Sequence, residues 1–155
     1  MELYVALKWA HVMGAAIVFG TGLGTAFHFW MAHRTGDART IAAAARVTVI
    51  ADYAFTLPAV VLQPLTGMAL AHAAGYPVTS RWIVASVLLY LLAGACWIPV
   101  VDIQRRMRDI AQRSAEAGIA LGDDYRRLWR WWFALGWPAF LALAIVFWLM
   151  IARPG

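Results

Sequence analysis

The sequence predicts an all-α fold, an integral membrane four-helix bundle with both termini on the outer side. Three observations lead there. Of 155 residues, 63% are hydrophobic and 14% charged, and mean hydropathy is +0.68, whereas soluble domains sit near half apolar and a quarter charged. Four apolar runs each reach the roughly 20 residues that a helix needs to cross the hydrocarbon core. The arginines gather in two of the three links between those runs. This composition excludes a disordered tail, a disulfide scaffold and an ordinary cytosolic enzyme.

The expected spans are residues 4–31, 47–74, 82–101 and 128–151, in a single transmembrane domain. Helices are required because an open strand would leave backbone groups unpaired in lipid. The first run is too long for a secretory leader and lacks a small-residue cleavage site, so it should remain as a helix. The link 33–46 carries Arg34, Arg39 and Arg46, and the link 102–127 carries Arg105, Arg106, Arg108, Arg113, Arg126 and Arg127. Arg81 stands alone in the second link. The positive-inside rule places the two arginine-rich links in the cytoplasm and the termini outside, at the periplasmic face of a bacterial inner membrane. The net charge of +5 is therefore read as topology, not as a nucleic-acid patch, and no nucleic-acid partner is expected.

Local signals set the helix ends. Asp37 is placed to cap a helix running through the alanines 42–45 into the second span. Gly75-Tyr76-Pro77 ends that span, and Asp123-Asp124 begins the helix of the fourth. Pro58, Pro64, Pro99 and Pro138 lie inside spans and each frees a carbonyl. Trp82, Trp129, Trp131 and Trp132 fall near span ends and are expected to anchor at the interface. In the third link, Ile103, Met107, Ile110 and Ala111 recur at roughly helical spacing. A solvated hairpin is the expectation, with a helix resting on anionic lipid as the alternative.

Ionisable and polar residues inside spans are costly and mark function by default. They are His11, His28, Asp52, Gln63, His72 and Tyr90. Asp52 is expected to pair with an arginine such as Arg105 or Arg106, a proton relay being the less common alternative. Gln63 is expected to bond a carbonyl freed by proline, and Tyr90 to do likewise or to line a cofactor pocket. Cys96 has no partner for a disulfide and reads as a small apolar residue. Gly20 and Gly24 form a small-xxx-small pair that lets a helix or a flat cofactor approach the backbone, close packing being the commoner use. His28 shares their face, but no other histidine lies at its depth.

His11 and His72 lie on different helices in the same leaflet, offset by roughly 6 Å, which helix tilt can absorb. Two imidazoles so placed suit six-coordinate haem iron. Lys8 and Arg81, on the same side, could hold the propionates. A copper site from His11, Met13, Met68 and His72 is a rival, since thioether and imidazole suit Cu(I).

Leu7-Lys8-Trp9-Ala10-His11-Val12 and the run from Phe19 to Phe27 resemble the opening of the DUF2269 family of predicted bacterial integral membrane proteins. Pro58 to Gly67 and Trp132 to Pro138 extend the resemblance over nearly the whole chain. More distantly, the layout is similar to the HemJ type of protoporphyrinogen oxidase, in Lys8-x-x-His11, the Pro…Thr66-Gly67 span and the closing Arg153-Pro154. That resemblance implies haem b at His11. The third helix here begins Arg81-Trp82-Ile83 without that family's lysine, and the last reads Gly136-Trp137-Pro138 instead of Asn-Glu-x-Pro, so its oxidase activity is not implied. The expected function is a membrane b-type haem protein, an oxidoreductase of the cytochrome b type if it is an enzyme. It would pass electrons between a membrane donor such as quinol and a redox partner at the periplasmic side. The cofactor-binding set is His11, His72, Lys8, Arg81, Gly20 and Gly24, with His11 and His72 on the iron. A homodimer is left open, and a cofactor-free accessory or transport-related subunit is the rival of another class.

Overall fold

A computed structural model describes residues 2–154. Its helices are α1 (Glu2–Arg34), α2 (Ala38–Ala51), α3 (Leu57–Ala73), α4 (Arg81–Ala117) and α5 (Asp123–Ala152), and no strand occurs among the described residues. A π-helical turn, Asp52–Thr56, joins α2 to α3, so that residues 38–73 make one span and the protein has four. The spans turn much of their apolar surface outward, with Trp9 68%, Trp148 65% and Ile151 79% exposed. A bundle dissolved in lipid need not hide such groups, because lipid tails are as apolar as they are.

Both termini and the 74–80 link lie at one end, the terminal end. Short links at 35–37 and 118–122 lie at the other, the arginine-rich end. The long loops expected at 33–46 and 102–127 are therefore mostly helix. Asp37 caps α2 as its sequence position suggests: Oδ2 accepts from the Thr40 amide at 2.8 Å and from the Thr40 hydroxyl at 2.6 Å. Those bonds, the hydroxyl's first, hold the Asp37 carboxyl below its ordinary range. A depressed carboxylate stabilises the fold above its unfolded pKa and loses that contribution as pH falls through its folded value. Asp37→Ala is accordingly expected to speed amide exchange in the first turn of α2 at neutral pH. In acid the variant and the parent should exchange alike.

The third link also differs from expectation, because α4 continues to Ala117 and ends on Gly118 in the left-handed region (φ 66°). Its apolar stripe packs on the protein's own bundle: Met107 and Ala111 are fully buried, and Ile103 and Ile110 lie against the same core. The stripe is thus neither a solvated hairpin nor a lipid-surface helix. Phe29 and Ala32 of α1, Ile41, Ala44 and Ala45 of α2, and Tyr125 and Trp132 of α5 complete this core at the arginine-rich end. Alanines bring α2 close to its neighbours, and Phe29 sets its ring edge-on to Trp129 and Trp132 at 5.6 and 5.3 Å. Trp132 is therefore interior, not an interface anchor, and Trp129 stacks on His33 at 3.7 Å. Trp131, 59% exposed, keeps an anchor's position.

Two prolines shape the second span. Pro58 has no N–H, and its ring presses on the carbonyl of the residue four before it, which disfavours a regular turn. The helix widens instead, and the Leu57 amide donates to Asp52 O, five residues back. Pro64 frees the carbonyl of Val60, and the Tyr90 hydroxyl of α4 donates to it at 2.5 Å. Towards the terminal end the bundle resolves into two pairs, α1 on α3 and α4 on α5. The pairs touch where Phe19 meets Phe140 and Phe147 (4.7 and 5.4 Å) and where Tyr90 reaches Val60. Between them lies a slot.

An intramembrane slot around His11

His11 sits on the face of α1 that meets α3. Its Nδ1 lies 2.9 Å from the Thr66 hydroxyl oxygen. That hydroxyl already donates to Leu62 O at 2.8 Å, so in this network it accepts from the imidazole. The proton thus belongs on Nδ1, and Nε2 keeps its lone pair. Close packing holds the ring in place: a methyl group built on Gly67 would stand 3.1 Å from His11 Cε1. The Gln63 amide of α3 donates to His11 O at 3.1 Å, and its Oε1 is buried without a hydrogen-bond partner.

The slot beside this imidazole has a volume of about 260 Å³. His11, Val18 and Phe19 line it from α1, Gln63, Gly67 and Met68 from α3, and Ser86 and Tyr90 from α4. Val146, Phe147 and Met150 close it from α5. Its walls are almost wholly apolar, and the Ser86 and Tyr90 hydroxyls are committed to Trp82 O and Val60 O. The polar groups left in the lining are the imidazole nitrogen of His11, the indole N–H of Trp82 and the Gln63 amide, whose oxygen is buried. A neutral imidazole with its other nitrogen anchored can bind a metal or accept a proton-bearing hydroxyl.

The other residues singled out in the sequence lie elsewhere. His72 is exposed on the last turn of α3 and does not line the slot; nine residues beyond Gln63, it falls about 180° round the helix. Lys8 and Arg81 are exposed near the terminal end, and neither lines the slot. Gly20, Gly24 and His28 share an exposed face of α1, and nothing stands within 4 Å of a methyl group built on either glycine. Of the copper set, His11 and Met68 line the slot, whereas Met13 and His72 do not. Among the described residues, no group of three or more His, Cys, Asp or Glu side chains is placed to hold a metal ion.

Asp52 corrects another expectation. It makes no ion pair; Arg106 pairs with Asp102 at 2.8 Å on the exposed side of α4, and Arg105 is exposed. Gln63 does bond a carbonyl, but it is that of His11 on the neighbouring helix, not one freed by proline. Thr66, which meets the imidazole, enters the sequence reading only as part of a family-like stretch, and Met150, which lines the slot, does not enter it. A threonine in an apolar run signals nothing until its helix is known to face a histidine. Removing the anchor with Thr66→Val should weaken a ligand held at Nε2 by about 10–100-fold, the usual cost of losing a partner that orients a ligating histidine. A binding isotherm on the purified variant measures this.

The sequence profile of the family described as predicted integral membrane protein (DUF2269) matches residues 5–154. The chain belongs to this family. No curated protein and no solved structure matches it. For this DUF2269 protein the family description supports residence in the membrane.

Proposed function

We propose that this DUF2269 protein is a b-type haem protein of the bacterial inner membrane, with its terminal end at the periplasmic face. It carries electrons between a membrane donor such as quinol and a redox partner on that side. The observation that carries the reading is the anchored imidazole: Thr66 holds the His11 proton on Nδ1 and leaves Nε2 bare beside an apolar slot. Neutral imidazole suits haem iron, and sites between facing helices of a bundle hold such groups.

The residues present fit the group in part. His11 would hold the iron through Nε2, and Gly67 keeps the imidazole tight against α3. His72 does not line the slot, whereas Met68 and Met150 do, and their thioethers would be the candidates for a second ligand. Lys8 and Arg81, exposed near the terminal end, are the cations for propionates at the interface. When bound, the haem supplies one-electron chemistry, and the protein's part is to orient it, exclude water and set its potential. The slot of about 260 Å³ is too small for haem as it stands, so haem binding requires the α1/α3 and α4/α5 pairs to part.

A second reading follows from the volume. About 260 Å³ lies below the range of roughly 300–1,000 Å³ usual for pockets of drug-sized ligands. A quinol head, its hydroxyl donating to His11 Nε2, fits that space without haem. Absorption and extraction separate the two. Purified protein that carries about one extractable haem per chain and shows sharp reduced bands bears out the first reading. Protein that stays colourless after growth with haem precursor, yet yields a bound quinone, favours the second.

A further inference from the structure

The core at the arginine-rich end and the slot at the terminal end account for most buried side chains, but not for Asp52. It is 4% exposed, sits at the first position of the π-helical turn, and has only neutral partners. With the Gln104 amide oriented so that Nε2 donates to Asp52 Oδ2 at 2.7 Å, its Oε1 accepts from Trp132 Nε1 at 3.2 Å. Thr56 and Trp97 flank the carboxyl as well. The charged and titratable side chains on the packed elements turn away: His28 of α1, Arg105 and Arg106 of α4 and Arg130 of α5 are exposed, as is Tyr53 in the turn itself. A buried carboxylate without a cation is costly, and a bound proton removes that cost.

A second observation lies on the same span. Among the described residues, two buried side-chain atoms lack any hydrogen-bond partner, Thr56 Oγ1 and Gln63 Oε1. Such atoms are rare in folded proteins and call for an explanation. Both lie on the buried stripe of the second span that runs Asp52, Thr56, Ala59 and Gln63, and the Tyr90 hydroxyl meets the same span between them at Val60 O. The stripe runs from Asp52 towards the slot, with about 10 Å of helix and the apolar Ala59 between Thr56 and Gln63, so a proton crossing it needs water there. In the other direction the way is packed shut by Ile41, Ala45, Met107 and Trp132.

We propose that Asp52 is an exchangeable proton site inside the membrane, served from the slot through Gln63 and Thr56. The proton leaves and returns by that stripe, the carboxyl passing between its acid and carboxylate forms. A ligand in the slot that gains or loses charge then has a proton partner roughly 16 Å along the same span. The proposal does not depend on haem, since it concerns the protein's own groups.

Infrared difference spectroscopy of the protein in lipid, without added ligand, tests it. The expected result is a carboxylic-acid C=O band that is absent in Asp52→Asn, moved in Asp52→Glu, and shifted after transfer to D₂O. Thr56→Val and Gln63→Leu should each slow that shift at least ten-fold. An Asp52 that stays ionised at every pH at which the protein is folded would overturn the proposal. So would an acid proton that never exchanges, or one whose exchange neither variant slows. Should Asp52→Asn fail to fold, ¹³C-aspartate labelling of the parent and of the Glu variant assigns the band.

Discussion

Replacing His11 with alanine is expected to abolish stoichiometric haem binding while leaving a folded, membrane-inserted protein. The imidazole is the one nitrogen ligand that lines the slot, and its Nε2 has no competing hydrogen bond. Methionine alone holds haem iron poorly, so the loss should exceed 100-fold in affinity, more than the 10–100-fold expected for Thr66→Val. The fold should survive because His11 is half-buried and distant from the core at the arginine-rich end. His72→Ala should change haem content little. Haem titration of the three variants, with helicity as the control for folding, measures these losses. Full haem content in His11→Ala would remove the ligand assignment. Equal losses in the His11 and His72 variants would restore the histidine pair.

Phe29→Ala is expected to be the most damaging single truncation for stability. Phe29 is fully buried, meets Trp129 and Trp132 edge-on, and touches the segment where α1, α2, α4 and α5 come together. Removing it leaves a cavity among rings that cannot close over it. In water such changes cost about 3–5 kcal/mol. Here the part due to transfer from water is smaller where lipid is the reference, so about 3 kcal/mol is expected. Unfolding by denaturing detergent in mixed micelles gives the value. A change below about 1 kcal/mol, the scale of ordinary surface substitutions and weak contacts, would mean that this cluster is not what ties the helices together.

The four spans were legible because hydropathy needs no partner: a run of apolar residues is costly in water wherever its neighbours lie. Asp37 acts through a side-chain cap on its own turn, and Gly75 and Gly118 through left-handed backbone; all three are local, and the first two were readable as helix boundaries for that reason. The third link misled because arginines set topology whether a segment is coil or helix, and those of α4 lie beside a stripe that reaches the core. Asp52 misled for a related reason. Depth in the membrane put it near Arg105 and Arg106, but depth says nothing of rotation, and both arginines face outward.

The candidate site shows the same limit. His11 could be singled out as an ionisable residue in a span, whereas its contact with Thr66 depends on α1 lying against α3. Apolar surface all round a membrane helix leaves that pairing almost unmarked. His72 was matched to His11 by leaflet, yet it falls on the opposite side of α3 from Gln63. Pro58 was recognised as a disturbance of the second span. The partners that meet Asp52 at the head of the resulting π-helical turn, Gln104 and through it Trp132, lie more than fifty residues away from it in sequence.

The most direct test of the account is nitrogen NMR of the four histidines, with the rings ¹⁵N-labelled and the protein in detergent before and after haem addition. Before addition, His11 should show a protonated Nδ1 and a bare Nε2. After addition its ring signals alone should be displaced by the iron, with His28, His33 and His72 unchanged. An unmoved His11, or a His72 displaced alongside it, would contradict the site described here.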